Sequence, residues 1–421
     1  MQYQTGLLHI NGLSTADLAS EFGTPLYVYD AAVIRRQLAN VRGAFSALPF
    51  QPFYAMKANG NLSLLRLIRE QGFGCDAVSP GEIHLAMRAG FTAGAIWFTC
   101  SNVSDDDLRA IPDPHIVINV NSVAEIDRIV ALGLTNPIAL RLNPPVGAGH
   151  HADVITAGES VKFGIDVAEI ATARMLVEDS GRRVVGLHAH IGSGVDDIAP
   201  LLEAARCLLE LAPHFKWLRW LNFGGGISTP YRPGDAEFPI AQYGQELAAL
   251  AGPLLRERGL TAILEPGRYL VAESGTLLAR VTSKRISAGV EWIGCDTGFN
   301  HLVRPSKYGA YHHILNASRG SNGSLRTSWD PNLERDELVV AGNLCESGDV
   351  FTRTAGRVVT RSLDRTHIGD LIAFCDAGAY GFSMASHYNA RLLPAEVLID
   401  EGKARLIRSR QTLADLVRGM E

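Results

Sequence analysis

Little in this chain points toward a membrane, a nucleic acid or a metal. Its six cysteines stand at positions 75, 100, 207, 295, 345 and 375, with no CxxC pair among them. That spacing argues against a zinc ribbon or a disulfide framework and predicts reduced thiols in a cytoplasm. No apolar run reaches the roughly 18 residues that cross a bilayer, so no membrane is expected as a partner. The opening Met1-Gln2-Tyr3-Gln4-Thr5-Gly6 has neither a basic nor an apolar stretch, and no secretory signal is expected. Net charge is only −5 over 421 residues, without a basic stripe, which disfavours nucleic acid. Internal repeats, low-complexity tracts and long linkers are missing as well.

What the chain has is apolar residues (47%), glycine (42 residues) and a rhythm. Short β-like runs alternate with amphipathic stretches between residues 30 and 270. The runs end near Lys57, Asp76, Cys100, Val120, Asn143, His190, Gly224 and Glu265. Between them, 31–45, 62–70, 80–89, 122–131, 167–178, 200–212 and 242–256 carry apolar residues at helical spacing. Eight β units separated by helices predict a parallel sheet, and eight fits a closed (β/α)8 TIM-like barrel. The fold class is thus α/β. After residue 270 the β-like runs 277–281, 337–340, 371–375 and 395–399 have turns between them, which predicts a mostly β domain over 271–421. Residues 1–29, with the strand Pro25-Leu26-Tyr27-Val28-Tyr29, are expected to join that domain. A last helix is expected at 412–419.

The ends of the predicted barrel strands carry Lys57, Asp76, Arg141, His190, a glycine triplet and Glu265. Barrel enzymes gather their chemistry at this end. A lysine in an apolar site can lose its proton and form a Schiff base with a carbonyl, although a lone lysine past a strand is more often a surface residue. Gly224-Gly225-Gly226 lets backbone N–H groups close on a phosphate or simply makes a turn. His188-Ala189-His190-Ile191-Gly192-Ser193-Gly194 offers a flat ring and a hydroxyl; either histidine alone reads as a core residue. With no third ligand beside them, no metal is expected. In Glu265-Pro266-Gly267-Arg268, a carboxylate facing a pyridine nitrogen would keep it protonated. The later half supplies Arg304-Pro305-Ser306-Lys307-Tyr308, Tyr311-His312-His313, Cys345-Glu346-Ser347-Gly348-Asp349 and Asp376-Ala377-Gly378-Ala379-Tyr380-Gly381.

Along nearly its whole length the chain resembles the fold-type III pyridoxal-phosphate decarboxylases, and among them the branch acting on diaminopimelate. The likeness rests on Tyr54-Ala55-Met56-Lys57-Ala58-Asn59, His190-Ile191-Gly192-Ser193, Gly224-Gly225-Gly226, Glu265-Pro266-Gly267-Arg268, Cys345-Glu346-Ser347-Gly348-Asp349 and the segment from Asp376 to Tyr380. It implies an alanine-racemase-like barrel plus β domain, pyridoxal 5'-phosphate as cofactor, an amino-acid substrate and a homodimer with shared active sites. By position, Lys57 would carry the cofactor covalently and His190 would lie on its ring. Ser193 with Gly224, Gly225 and Gly226 would hold the phosphate, and Glu265 would meet the pyridine nitrogen. Asp76 and Gly267 complete the implied cofactor set. Arg268, Arg304 and Tyr308 would bind the substrate's distal carboxylate. Glu346 of a second subunit would read the distal ammonium. Cys345, from the same partner, would donate the proton that replaces CO2, and Tyr380 would touch both cofactor and substrate. The implied reaction turns meso-2,6-diaminopimelate into L-lysine and CO2.

Two positions depart from that pattern. His387 stands where asparagine is usual, and Gly194 stands where many members have glutamine. The alternatives are a decarboxylase for ornithine, lysine or arginine, a racemase, and a non-catalytic cofactor carrier. Arg304 and the Cys345-Glu346 pair suit a second amino-acid end and speak against the first. Glu265 speaks against the second, because racemases favour a weaker electron sink. The second domain speaks against the third.

Overall fold

The structure is a computed structural model that describes residues 1–99, 101–149, 151, 155–158, 161–320, 323–324, 334–354 and 356–420. It divides into two compact units. One comprises residues 35–229 and 237–270, and the other 1–34, 230–236 and 271–421.

The first unit is a closed parallel barrel. Its eight strands in chain order are Phe50–Ala55, Gly74–Ala77, Ile96–Thr99, Val117–Val120, Ile138–Asn143, Val184–Ala189, Trp220–Asn222 and Thr261–Leu264. Each pairs in parallel with its sequence neighbour, and Thr261–Leu264 closes the ring on Phe50–Ala55. The expected strand end at Cys100 lies outside the described residues. The helices start where short polar side chains cap them. Asn61 accepts from the Ser63 N–H at 2.9 Å, and Ser79 accepts from the Glu82 N–H at 3.1 Å ahead of Pro80. After the second and fourth strands the same device recurs, with Glu82 accepting from the Val78 N–H and Glu125 from the Asn121 N–H. Two expected helices shift. The one placed at 167–178 begins as a 3-10 turn and becomes α-helical over Ile170–Asp179, and the one placed at 200–212 runs Ile198–Leu211. Asp197 caps the latter by accepting from the Ala199 N–H, so the helix starts ahead of Pro200.

The barrel interior changes character along its axis. Its lower part is apolar and tightly filled by Phe53, Trp97, Val117, Ala139 and Ile263, with Trp220 packed against them. The Phe53 and Trp97 rings lie 6.2 Å apart, and Trp97 and Trp220 lie 6.0 Å apart. Gly186 and Gly74 make room for them, since a Cβ at either would come within 2.8 Å of Trp97 or 2.6 Å of Phe53. Two residues further along, the strands present Asp76, Thr99, Asn119, Arg141, His188, Asn222 and Glu265, all buried. A two-residue step returns a strand to the same face, so both layers line the interior.

The second unit is mostly β. Its main sheet runs in the order Arg361–Asp364, Arg335–Ala341, Val290–Cys295, Gly275–Ser287, Leu26–Asp30, Ala395–Asp400, Lys403–Arg408. Leu371–Phe374 also pairs with Gly275–Ser287 and carries Ile314–Asn316 at its edge. Leu26–Asp30 is antiparallel to Gly275–Ser287 and parallel to Ala395–Asp400. A small sheet of Gln2–Gln4, Leu7–Ile10 and Leu13–Ser14, with the helix Thr15–Phe22, adds Leu8, Ile10 and Leu18 to the core under these strands. The last helix is short, Leu413–Val417, capped by Thr412. Among the described residues no helix is long and apolar enough to cross a membrane.

Candidate active site

In the barrel unit the predicted residues converge. Lys57 lies in a 3-10 turn, Met56–Ala58, directly after the first strand. Its Nζ is 3.4 Å from Asp76 Oδ2 and about a third of its side chain is exposed, 36%. The lysine therefore sits among charged and polar groups, which corrects the expectation of an apolar pocket. Asp76 is fully buried. Burial and the nearby Glu265 outweigh Lys57 and push its carboxyl up to about 7.

Glu265 sits one residue past the eighth strand, 3% exposed. Its Oε1 lies 3.0 Å from His188 Nε2, and its Oε2 accepts from Asn222 Nδ2 at 3.0 Å. Burial alone would raise this carboxyl; His188, which bonds to it, together with Lys57, holds it well below its ordinary value. It is an ionised carboxylate with both oxygens oriented. Gly267 lets the following loop lie against the Lys57 turn, because a Cβ there would come within 2.9 Å of the Ala55 carbonyl oxygen.

The loops after the sixth and seventh strands interlock through the glycine triplet. A Cβ on Gly225 would stand 2.5 Å from the Glu265 carbonyl oxygen, and one on Gly224 or Gly226 would collide with the carbonyl of Ala189 or Gly192. Gly224 and Gly226 also have φ of 70° and 94°, the left-handed region open to glycine. The Gly225 N–H donates to His190 Nδ1 at 3.2 Å, and Asn222 Oδ1 accepts from the Gly224 N–H at 2.9 Å. Desolvation, with Lys57 and Arg141 nearby, keeps the His190 ring well below its ordinary value and thus neutral. Ser193 Oγ accepts from Arg268 Nη2 at 2.8 Å, and Arg268 is itself buried. Gly194, one of the two departures, has φ of 77° and donates its N–H to the Gly226 carbonyl at 2.9 Å. Glutamine there would be strained.

The β unit holds the other predicted residues. Arg304 opens the helix Arg304–Tyr308 and is almost wholly buried. Its Nη1 lies 2.8 Å from His312 Nε2, and its guanidinium sits 4.6 Å above the Tyr231 ring centroid. His312 Nδ1 is 2.8 Å from the Cys375 carbonyl oxygen, so Nδ1 carries the hydrogen and Nε2 accepts from the arginine. Tyr231 belongs to the stretch 230–236, which clusters with the β unit. The sequence reading missed it, and its only signal is an aromatic shortly after the glycine triplet.

Cys345 and Glu346 are exposed on a loop built around the buried Asp349, whose carboxylate accepts from the N–H groups of Phe299 at 2.7 Å and Leu344 at 2.8 Å. The Cys345 N–H donates to Asn389 Oδ1 at 2.8 Å, and the Ser306 hydroxyl donates to the Gly348 carbonyl at 2.9 Å, tying this loop to the Arg304–Tyr308 helix. Tyr380 and Asp376 both have positive φ, 57° and 55°, rare for such residues and typical of constrained functional loops. His387, the other departure, lies on the surface with its Nε2 2.6 Å from Gln411 Oε1.

An amine, an ionised buried carboxylate, a neutral imidazole, and a glycine cradle beside a serine and an arginine form the donor set that pyridoxal phosphate requires. They define a cofactor-dependent enzyme of the barrel-plus-β-domain type. Residues 31–272 match the family of pyridoxal-dependent decarboxylases, pyridoxal binding domain. A diaminopimelate decarboxylase of Methanothermobacter thermautotrophicus is 42% identical over 98% of this chain and 95% of its own length. A crystal structure of a diaminopimelate decarboxylase superposes with a TM-score of 0.86 at 38% identity, covering 95% of this chain and 94% of that one. The Methanocaldococcus jannaschii enzyme, solved in co-complex with L-lysine, gives 0.86 at 34% identity over 98% and 96%. The chain belongs to the pyridoxal-dependent decarboxylases, in the diaminopimelate decarboxylase family. It is a carbon–carbon lyase that uses pyridoxal phosphate.

Proposed function

We propose that this protein removes the α-carboxylate of meso-2,6-diaminopimelate, yielding L-lysine and CO2, the last step of lysine biosynthesis. The observation that carries the reading is Glu265, a carboxylate held ionised within one connected polar layer with Lys57 and His188. Pyridoxal phosphate, when bound, supplies the electron sink for the bond that breaks. Lys57 would be its covalent anchor. Glu265 would meet the ring nitrogen and so keep a proton there. His190 would lie against the ring, and Ser193 with Gly224, Gly225 and Gly226 would hold the phosphate, with Asp76 and Gly267 completing the site. Arg268, Arg304 and Tyr308 bind the distal carboxylate. Arginine suits this role because its planar fork meets a carboxylate in two hydrogen bonds.

The protein acts as a homodimer in the cytoplasm. Cys345 of one subunit returns a proton to the α-carbon, Glu346 of that subunit reads the distal ammonium, and Tyr380 contacts cofactor and substrate. Mixing Lys57→Ala with Cys345→Ala subunits is expected to restore part of the activity that each variant lacks. No recovery would remove the shared-site arrangement.

CO2 release from meso-diaminopimelate, measured beside L-lysine, L-ornithine and D-lysine with added pyridoxal phosphate, tests the substrate. Turnover of the diacid alone is expected. Turnover of a mono-acid would keep the chemistry and discard the roles of Arg304 and Glu346.

A further inference from the structure

His188 is a fully buried titratable group to which the mechanism above gives no work. We propose that His188 is a positioning residue, locked by Asn119 as a neutral imidazole protonated on Nε2, that holds Glu265 as a full negative charge toward the cofactor ring. The inference rests on the reading that Glu265 faces the ring nitrogen.

The hydrogen-bond accounting leads there. An ionised carboxylate only accepts, so the 3.0 Å contact from His188 Nε2 to Glu265 Oε1 needs a hydrogen on Nε2. On the other side, the Asn119 amide nitrogen lies 2.7 Å from His188 Nδ1 and 3.1 Å from Thr99 Oγ1. Its two hydrogens satisfy both, which leaves Nδ1 as a lone pair. Turning the amide over would set its oxygen against Nδ1, and the ring would need both hydrogens. An imidazolium would then cancel the charge of Glu265. The surroundings oppose that state. Asn119, His188 and Asn222 are all inaccessible to solvent. The charged groups facing the ring besides Glu265 are Arg141 from the fifth strand and Lys57 beyond the first, both positive. Burial lowers the affinity of His188 for a second proton, Glu265 opposes it, and with the two cations added the net direction is downward. Asn222 completes the clamp on the other oxygen of Glu265 at 3.0 Å. Each carboxylate oxygen keeps a further lone-pair site.

The test is made on the holoenzyme with 15N-labelled histidine. The His188 ring is expected to show an unprotonated Nδ1 and a protonated Nε2 through neutral pH. Two protonated nitrogens would overturn the proposal. Protein stripped of cofactor then gives the functional readout. His188→Leu is expected to bind pyridoxal phosphate roughly ten-fold or more weaker, the loss of one hydrogen bond to a charged group, and to alter the bound cofactor's absorption spectrum. His188→Gln, which keeps a neutral N–H donor, is expected to restore both. If His188→Leu does not fold, Asn119→Asp serves, since a carboxylate facing Nδ1 draws a hydrogen onto it; the same spectral change is expected. An unchanged spectrum and affinity in the variant used overturns the inference, provided Glu265→Gln alters them. If Glu265→Gln alters neither, the reading of Glu265 falls and the inference with it.

Discussion

Two layers of one barrel, two residues apart along the same strands, are built for opposite purposes. Trp97 and Thr99 share the third strand, Val117 and Asn119 the fourth, and Ala139 and Arg141 the fifth. Trp220 and Asn222 share the seventh, and Ile263 lies two residues before Glu265. The lower members pack aromatic against aromatic, and the upper ones exchange hydrogen bonds and charge. Burial in the lower layer releases water from apolar surface and stabilises the fold. In the upper layer burial is unfavourable for every charge, and it raises Asp76 and sharpens the electrostatics of Glu265. One layer holds the barrel closed, while the other spends part of that stability on a prepared site.

Substitutions can break this contrast. Lys57→Ala should abolish turnover and the absorbance of the covalently held cofactor while leaving thermal stability near that of the parent. An unchanged cofactor spectrum would sink the assignment of Lys57. Trp97→Ala should do the reverse. It should cost about 3–5 kcal/mol of stability by opening a cavity among Phe53, Gly186 and Trp220, with per-molecule turnover retained in whatever folds. Urea unfolding beside activity per folded enzyme would separate the two, and a silent Trp97→Ala would contradict the packed lower layer.

A smaller effect sharpens the same point. Asp76 holds its proton more tightly folded than unfolded, with a folded value of about 7 against an ordinary 3.8. The stability this contributes is complete below the ordinary value and is lost as pH rises toward 7. Melting temperatures of cofactor-free protein should therefore fall across that range relative to those of Asp76→Asn. Parallel curves would show that Asp76 is not strained.

Much of this was legible beforehand, and the reasons differ by residue. The eight strands and most helices follow from apolar period and capping residues, which are local. Lys57, His190, Glu265 and Arg304 stood out because their residue types and positions fit a chemistry. His188 was read as an ordinary core histidine, since nothing in the sequence shows that Asn119 and Glu265 flank it from the fourth and eighth strands. Thr99, Asn119 and Asn222 went unnoticed for the same reason, although a polar residue closing one apolar β run after another was a usable signal. The support of Arg304 by His312 is local, eight residues on, but its contact with Tyr231 joins positions 304 and 231, far apart in sequence, and only folding brings them together. The surroundings of Lys57 were misjudged because its carboxylate neighbours come from other strands.

The most direct test of the central claim is Glu265→Gln, assayed for kcat with meso-diaminopimelate and for thermal unfolding in one series. The isosteric change removes the charge and keeps the shape. The account predicts a fall in kcat of about 10²- to 10³-fold, the usual cost of one well-placed electrostatic contact, with a melting temperature equal to or above the parent's. A variant that loses stability but turns over normally would contradict it.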